Sequence, residues 1–144
     1  MTNDHTIHLL RECSAGAKMA ARSIDEVMGK VQDDKLAKIL AKSRENHEKL
    51  GDETRKELEE RGSKTAEPDL MAKGMSWMKT NMNLAMGADD GIIADLITEG
   101  CSMGIKSMAR YLNQYPEAEH KAKNLAEALV GLEQNLAQDL RPYL

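Results

Sequence analysis

An all-α helical bundle is what this sequence predicts, and three observations predict it. Ala, Leu, Met, Glu and Lys dominate while β-branched residues are sparse and Phe is absent, so local propensity favours helix almost everywhere. Apolar residues recur at alternating threes and fours through four long stretches, the period of a helix with one buried face. The length of 144 residues, 41% hydrophobic and 31% charged, suits a single domain over 1–144 with one core.

Asn3 or Asp4 caps a first helix over about 4–31, whose stripe is Ile7, Leu10, Ser14, Ala17, Ala21, Ile24 and Met28. Asp33 or Asp34 caps a second over 34–61, with Leu36, Leu40, Ser43, His47, Leu50, Thr54 and Leu58 inward. Its outer face carries the i,i+4 pairs Glu45 to Lys49 and Glu57 to Arg61, and Gly62 stops it. A shorter helix over 70–86 is expected after the loop GSKTAEPD, with Met71, Met75, Met78, Met82 and Met86 along one face and Trp77 beside them. Asp89 or Asp90 starts a helix over 90–114, with Ile93, Ile97, Cys101, Gly104, Met108 and Tyr111 inward. Pro116 opens the last, over 116–141, which buries Ala122, Leu125, Leu129, Leu132, Leu136 and Leu140.

Length separates bundle from connector. Four helices of about 25 residues are each roughly 38 Å long, whereas the Met-rich one is only about 25 Å. The loop and the Met-rich helix together are long enough to carry the chain back along the bundle, giving one long crossover; a plain up-down bundle of five helices is the alternative. No internal repeat or low-complexity segment points to a solenoid or to disorder.

Composition excludes several classes of partner. The net charge of −4 is mild and basic residues are interleaved with acidic ones, so there is no electrostatic footprint for nucleic acid or an anionic membrane. No stretch reaches the roughly twenty apolar residues of a membrane span, and the N-terminus lacks the pattern of a secretory signal, so a cytoplasmic location is expected. Cys13 and Cys101 have no close spacing and lie on apolar faces, which reads as two buried free thiols. No phosphate-binding loop or nucleophile elbow appears, so an enzyme is not expected.

Bundles that hold two metal ions take one carboxylate from each of two helices and an E-x-x-H pair from each of the others. On the second helix His47 fills the histidine position, but Arg44 stands where the glutamate belongs. On the last, Glu133 fills the glutamate position, but Leu136 stands where the histidine belongs. The first helix offers Ala17, Ala20 and Ala21 at its centre, and the fourth offers Ile97, Cys101 and Gly104. Glu12 and Glu99 fall off their apolar stripes on a helical wheel and are expected to be solvated.

With a long crossover and with His47 and Glu133 at two site positions, the chain resembles the ferritin-like superfamily, especially its small bacterial members. The resemblance covers nearly the whole chain as architecture. It implies a four-helix bundle whose crossover carries the short Met-rich helix, with iron held by whatever remains of the site, His47 and Glu133 being the candidate metal ligands. No cofactor is expected from the other residues.

Helices two and five run in opposite directions in that topology, so counting residues places His47 and Glu133 at one level, about 20 to 25 Å from the base. A buried imidazole–carboxylate contact is expected there, joined by Ser43, Thr54, Tyr111 or a water, because an unpaired buried charge is costly. Two further spacings, His5, His8 and Glu12 on the first helix and Glu117 with His120 on the last, read as solvated helix ends. A Met row also has the soft ligands for Cu(I), but at helical spacing it reads as packing. The leading expectation is a non-catalytic protein with a structural or interaction role, a homo-oligomer or a protein partner being met through Met71, Met75, Trp77, Met78 and Met82. A metal-binding or redox protein built on His47 and Glu133 is the alternative.

Overall fold

A computed structural model describes residues 3–63, 87 and 89–144. The described residues form four α-helices and no strand: α1 (Asp4–Met28), α2 (Asp34–Glu60), α3 (Asp90–Gln114) and α4 (His120–Leu140), followed by a 3₁₀ turn at Arg141–Tyr143. The expected Met-rich helix over 70–86, with Met71, Met75, Trp77, Met78 and Met82, lies outside them.

Three of the four helices start at a capping side chain. Asn3 Oδ1 accepts from the Thr6 amide at 2.8 Å, Asp33 Oδ2 from the Leu36 amide at 2.9 Å and Asp89 Oδ1 from the Ile92 amide at 2.9 Å. Each satisfies an amide that has no partner within its helix. α2 ends at Gly62, whose φ of +70° is left-handed. There Gly62 N–H donates to Glu59 O and Ser63 N–H to Leu58 O, the pair of bonds that closes a helix end around a glycine.

Two boundaries differ from the sequence expectation, and tertiary hydrogen bonds account for both. α1 stops at Met28, short of Val31, because the Asp90 carboxylate at the start of α3 accepts from the Gln32 and Asp33 amides at 2.8 and 2.9 Å. Those residues are thereby held out of the helix. α4 begins at His120 and not at Pro116. The intervening turn is fixed from α1: Glu117 N–H donates to His5 Nδ1 at 3.1 Å, Glu119 N–H donates to Thr6 Oγ1 at 2.8 Å, and Asn3 Nδ2 donates to Glu117 O at 2.9 Å.

α1 packs along α2 and α3 along α4, and contacts of α2 with α4 and of α1 with α3 join the two hairpins. At one end Leu9, Leu10, Leu58, Met108, Ala118 and Leu125 form one core cluster. At the other Ile24, Val27, Leu36, Ile93 and Leu140 form a second. The order of these residues sets the directions: α1 and α4 run one way, α2 and α3 the other. α2 therefore ends beside Glu119, where Arg61 bonds that carboxylate, and α3 starts at the opposite end beside Asp33. The chain between Ser63 and Asp89 joins opposite ends of the bundle.

Candidate functional site

Midway along the bundle, at the junction of the two apolar clusters, the core becomes polar. Leu129 belongs to one cluster and Leu136 to the other, with Glu133 between them on α4; Leu50 and Leu40 bracket His47 on α2 in the same way. His47 is 0% and Glu133 5% exposed. Both therefore sit on the buried stripe that the spacing assigns them.

His47 is oriented by its own helix. Its Nδ1 donates to the carbonyl of Ser43, one turn back, at 2.8 Å, and the Ser43 hydroxyl stands 3.3 Å from the same nitrogen. A carbonyl oxygen only accepts, so Nδ1 carries a proton and Nε2 is turned into the core. That Nε2 is buried, makes no aligned hydrogen bond, and stands 3.4 Å from Glu133 Oε1. Burial by itself pulls the imidazole down, but the Glu133 carboxylate and the Ser43 carbonyl outweigh it, and the His47 pKa lies above the ordinary histidine value.

Glu133 is shaped by α3. A Cβ added to Gly104 would lie 3.1 Å from Oε1, 3.4 Å from Cδ and 3.6 Å from Cγ of Glu133, so the carboxylate lies over a bare stretch of helix. The Cys101 thiol on the preceding turn faces the same carboxylate; burial first, then the charge and hydrogen bond of Glu133, push it far above the usual thiol range. The periodicity places Cys101 and Gly104 inward but carries no signal that both serve Glu133. Of the other partners expected, Thr54 donates to Gly51 O at 2.8 Å, and Tyr111 engages Glu12. Burial, followed by that carboxylate, pushes the Tyr111 hydroxyl up to about 12.

Glu12 thus corrects the expectation that it is solvated: it is half-buried against α3, while Glu99 is exposed. The reason is that α1 meets a second helix beyond its main apolar stripe. His5 and His8 lie around Tyr115, His5 edge-on at 5.7 Å and His8 stacked at 5.3 Å between ring centres. Glu117 and His120 do not share a helix, since Glu117 lies in the turn before α4.

Iron, which the resemblance implies, is tested by these side chains. Arg44 is turned outward, with Nε 2.7 Å from Asp25 Oδ1 and an amino nitrogen 3.3 Å from Glu48 Oε1. Leu136 is apolar, and at the level of the pair α1 supplies Ala21 and α3 supplies Cys101 and Gly104. Among the described residues no group of three or more His, Cys, Asp or Glu side chains is placed to hold a metal ion. The described residues therefore do not fit a dinuclear iron centre, which needs bridging carboxylates from several helices.

The described residues together form a four-helix bundle with a buried imidazole–carboxylate pair at its centre. No family model, curated protein or solved structure matches the chain. No described helix is long and apolar enough to cross a membrane.

Proposed function

We propose that this chain is a ferritin-like helical bundle that performs no catalysis and serves a structural or protein-interaction role. The observation that carries this reading is the orientation of His47, whose Nδ1 donates to the Ser43 carbonyl and whose Nε2 faces Glu133 Oε1 at 3.4 Å in the core. The two side chains that match a metal-site pattern are turned on each other, Leu136 is apolar, Arg44 faces outward, and α3 adds a single thiol, Cys101, beside the pair. The shared direction of α2 and α3 supports the ferritin-like part, because bundles of that superfamily have one long crossover. The interaction part rests on the expected apolar face at Met71, Met75, Trp77, Met78 and Met82; on the described helices Ile92 and Met103, 50% and 47% exposed, are single apolar side chains at the surface of α3.

Elemental analysis of the protein as purified, and again after anaerobic incubation with ferrous iron and desalting, tests the non-metal part. Negligible iron supports it. About two irons per chain overturns it in favour of a di-iron protein, and a single tightly held iron overturns it in favour of a reduced site at His47 and Glu133. Sedimentation velocity tests the interaction part. A reversible oligomer that Met78→Lys or Met103→Lys weakens supports self-association, and a monomer at every concentration removes it.

A further inference from the structure

We propose that the groove between α2 and α4 is a homodimer interface, occupied by the same groove of a second copy about a two-fold axis parallel to the helices. This rests on the interaction reading above and supplies its partner, the chain itself. The groove is open and encloses about 320 Å³. At its floor Leu136 is buried and Ile39 and Leu132 are half-buried, while Lys38 and Lys42 on α2 and Asn135 and Asp139 on α4 are exposed along its two rims. Apolar floor and polar rims are the layout of an interface core and its edge.

The register across the groove is fixed by the central pair. His47 on α2 stands opposite Glu133 on α4, and the two helices run in opposite directions, so a residue before His47 is level with one equally far after Glu133. Asn46 is thereby level with Asn135, and Lys42 with Asp139, each to within one residue or about 1.5 Å. Each rung of the groove thus carries one group on α2 and its complement on α4.

That arrangement is self-complementary. A two-fold axis along the groove lays the α2 rim of one copy over the α4 rim of the other without changing level. Lys42 then meets the partner's Asp139, Asn46 meets the partner's Asn135, and both contacts occur twice because the interface is isologous. Between these rows the apolar floors close on each other. An axis across the groove would instead set lysines against lysines, so charge selects the first orientation. A uniformly acidic partner would suit Lys38 and Lys42 but be repelled by Asp139, whereas this face offers each charge its opposite. Within its own chain Lys42 reaches Glu45 at 3.7 Å, and both side chains are exposed, so that contact costs little to give up.

Charge exchange on the intact chain is the test. Sedimentation velocity from about 1 μM to 1 mM is expected to show a reversible dimer. Lys42→Glu and Asp139→Lys, each setting like charges together twice, are expected to raise its dissociation constant about tenfold or more while unfolding at nearly the same temperature as the unsubstituted protein. Mixing the two single variants is expected to restore the dimer, because the Glu at 42 of one copy then meets the Lys at 139 of the other. A dimer that both single variants retain overturns this interface; if Met78→Lys disrupts that dimer, the interaction reading stands without it. A mixture no more associated than its components also overturns it, and a monomer at every concentration removes self-association and this interface together.

Discussion

Gly104 on α3 and Glu133 on α4 are matched: the carboxylate occupies the space that any Cβ at 104 would enter, with Oε1 only 3.1 Å from that point. The absence of one side chain thus decides the conformation of another. Gly104→Ala is expected to lower stability by about 1 kcal/mol even though Ala is the better helix former, because displacing a pinned buried carboxylate costs about 1–3 kcal/mol. In a Glu133→Ala background the same substitution is expected to stabilise. Gly131 is the control: a Cβ there meets nothing within 4 Å, so Gly131→Ala is expected to add about 0.5–1 kcal/mol. Urea unfolding of the four variants checks this, and equal effects at 104 and 131 contradict it.

Leaving one member of the central pair alone is expected to cost more than removing both. His47→Leu strands a buried carboxylate beside a thiol, a loss of about 3–5 kcal/mol. His47→Leu with Glu133→Leu is expected to recover most of that loss, since an apolar replacement of a buried ion pair is commonly neutral or better. Denaturation midpoints settle the matter, and a double variant weaker than both singles is the opposite result.

Stability is expected to fall as pH rises above the unfolded imidazole value of about 6.5. The native His47 binds its proton more tightly than the unfolded chain does. Its contribution is therefore complete below the unfolded imidazole value of about 6.5 and is lost as pH climbs through the higher native value. Urea midpoints measured from pH 6 to 9 are expected to decline in the unsubstituted protein and to lose that part of the slope in His47→Leu. A midpoint that instead rises over this range refutes the assignment.

At the end where α2 stops, Arg61 joins two helices: its Nε and an amino nitrogen lie 3.1 and 2.6 Å from Glu119 Oε2, and another amino nitrogen reaches Glu57. Arg61 is 16% exposed and Glu119 40%. The bond geometry favours the network while the wet side of Glu119 screens it, so Arg61→Ala is expected to cost about 1–2 kcal/mol. Thermal unfolding at low and high salt is the check. A salt-independent loss points to the guanidinium stem and not its charge.

Neither cysteine is expected to react in the folded protein at pH 7. Burial pushes the Cys13 thiol up to about 12, and Cys101 is only 2% exposed, so neither forms thiolate at an accessible position. Mass spectrometry after a thiol reagent is expected to show two labels per chain in urea and none without it. Rapid native labelling of either thiol is incompatible with these positions.

The pattern of threes and fours places Leu36, Leu40, His47, Leu50 and Leu58 on one buried line, and Asn3, Asp33 and Asp89 mark three helix starts. Residue counts alone bring His47 and Glu133 to one level. These are local properties, set by helical period and capping chemistry, and they survive whatever the neighbouring helices do. The end of α1 at Met28 and the start of α4 at His120 were not legible, because Asp90 and Thr6 fix them across the fold.

By itself, then, the sequence determined an all-α chain, the buried stripe of each described helix and the two polar residues that would sit at the centre. Tertiary structure alone decided that Glu12 turns to Tyr111, that Cys101 and Gly104 shape Glu133, and that Nε2 of His47 faces a carboxylate. Helical period fixes which side of a helix a residue occupies. Which atom it meets there depends on the rotation and spacing of the helix opposite, which are set by the packing of the whole core.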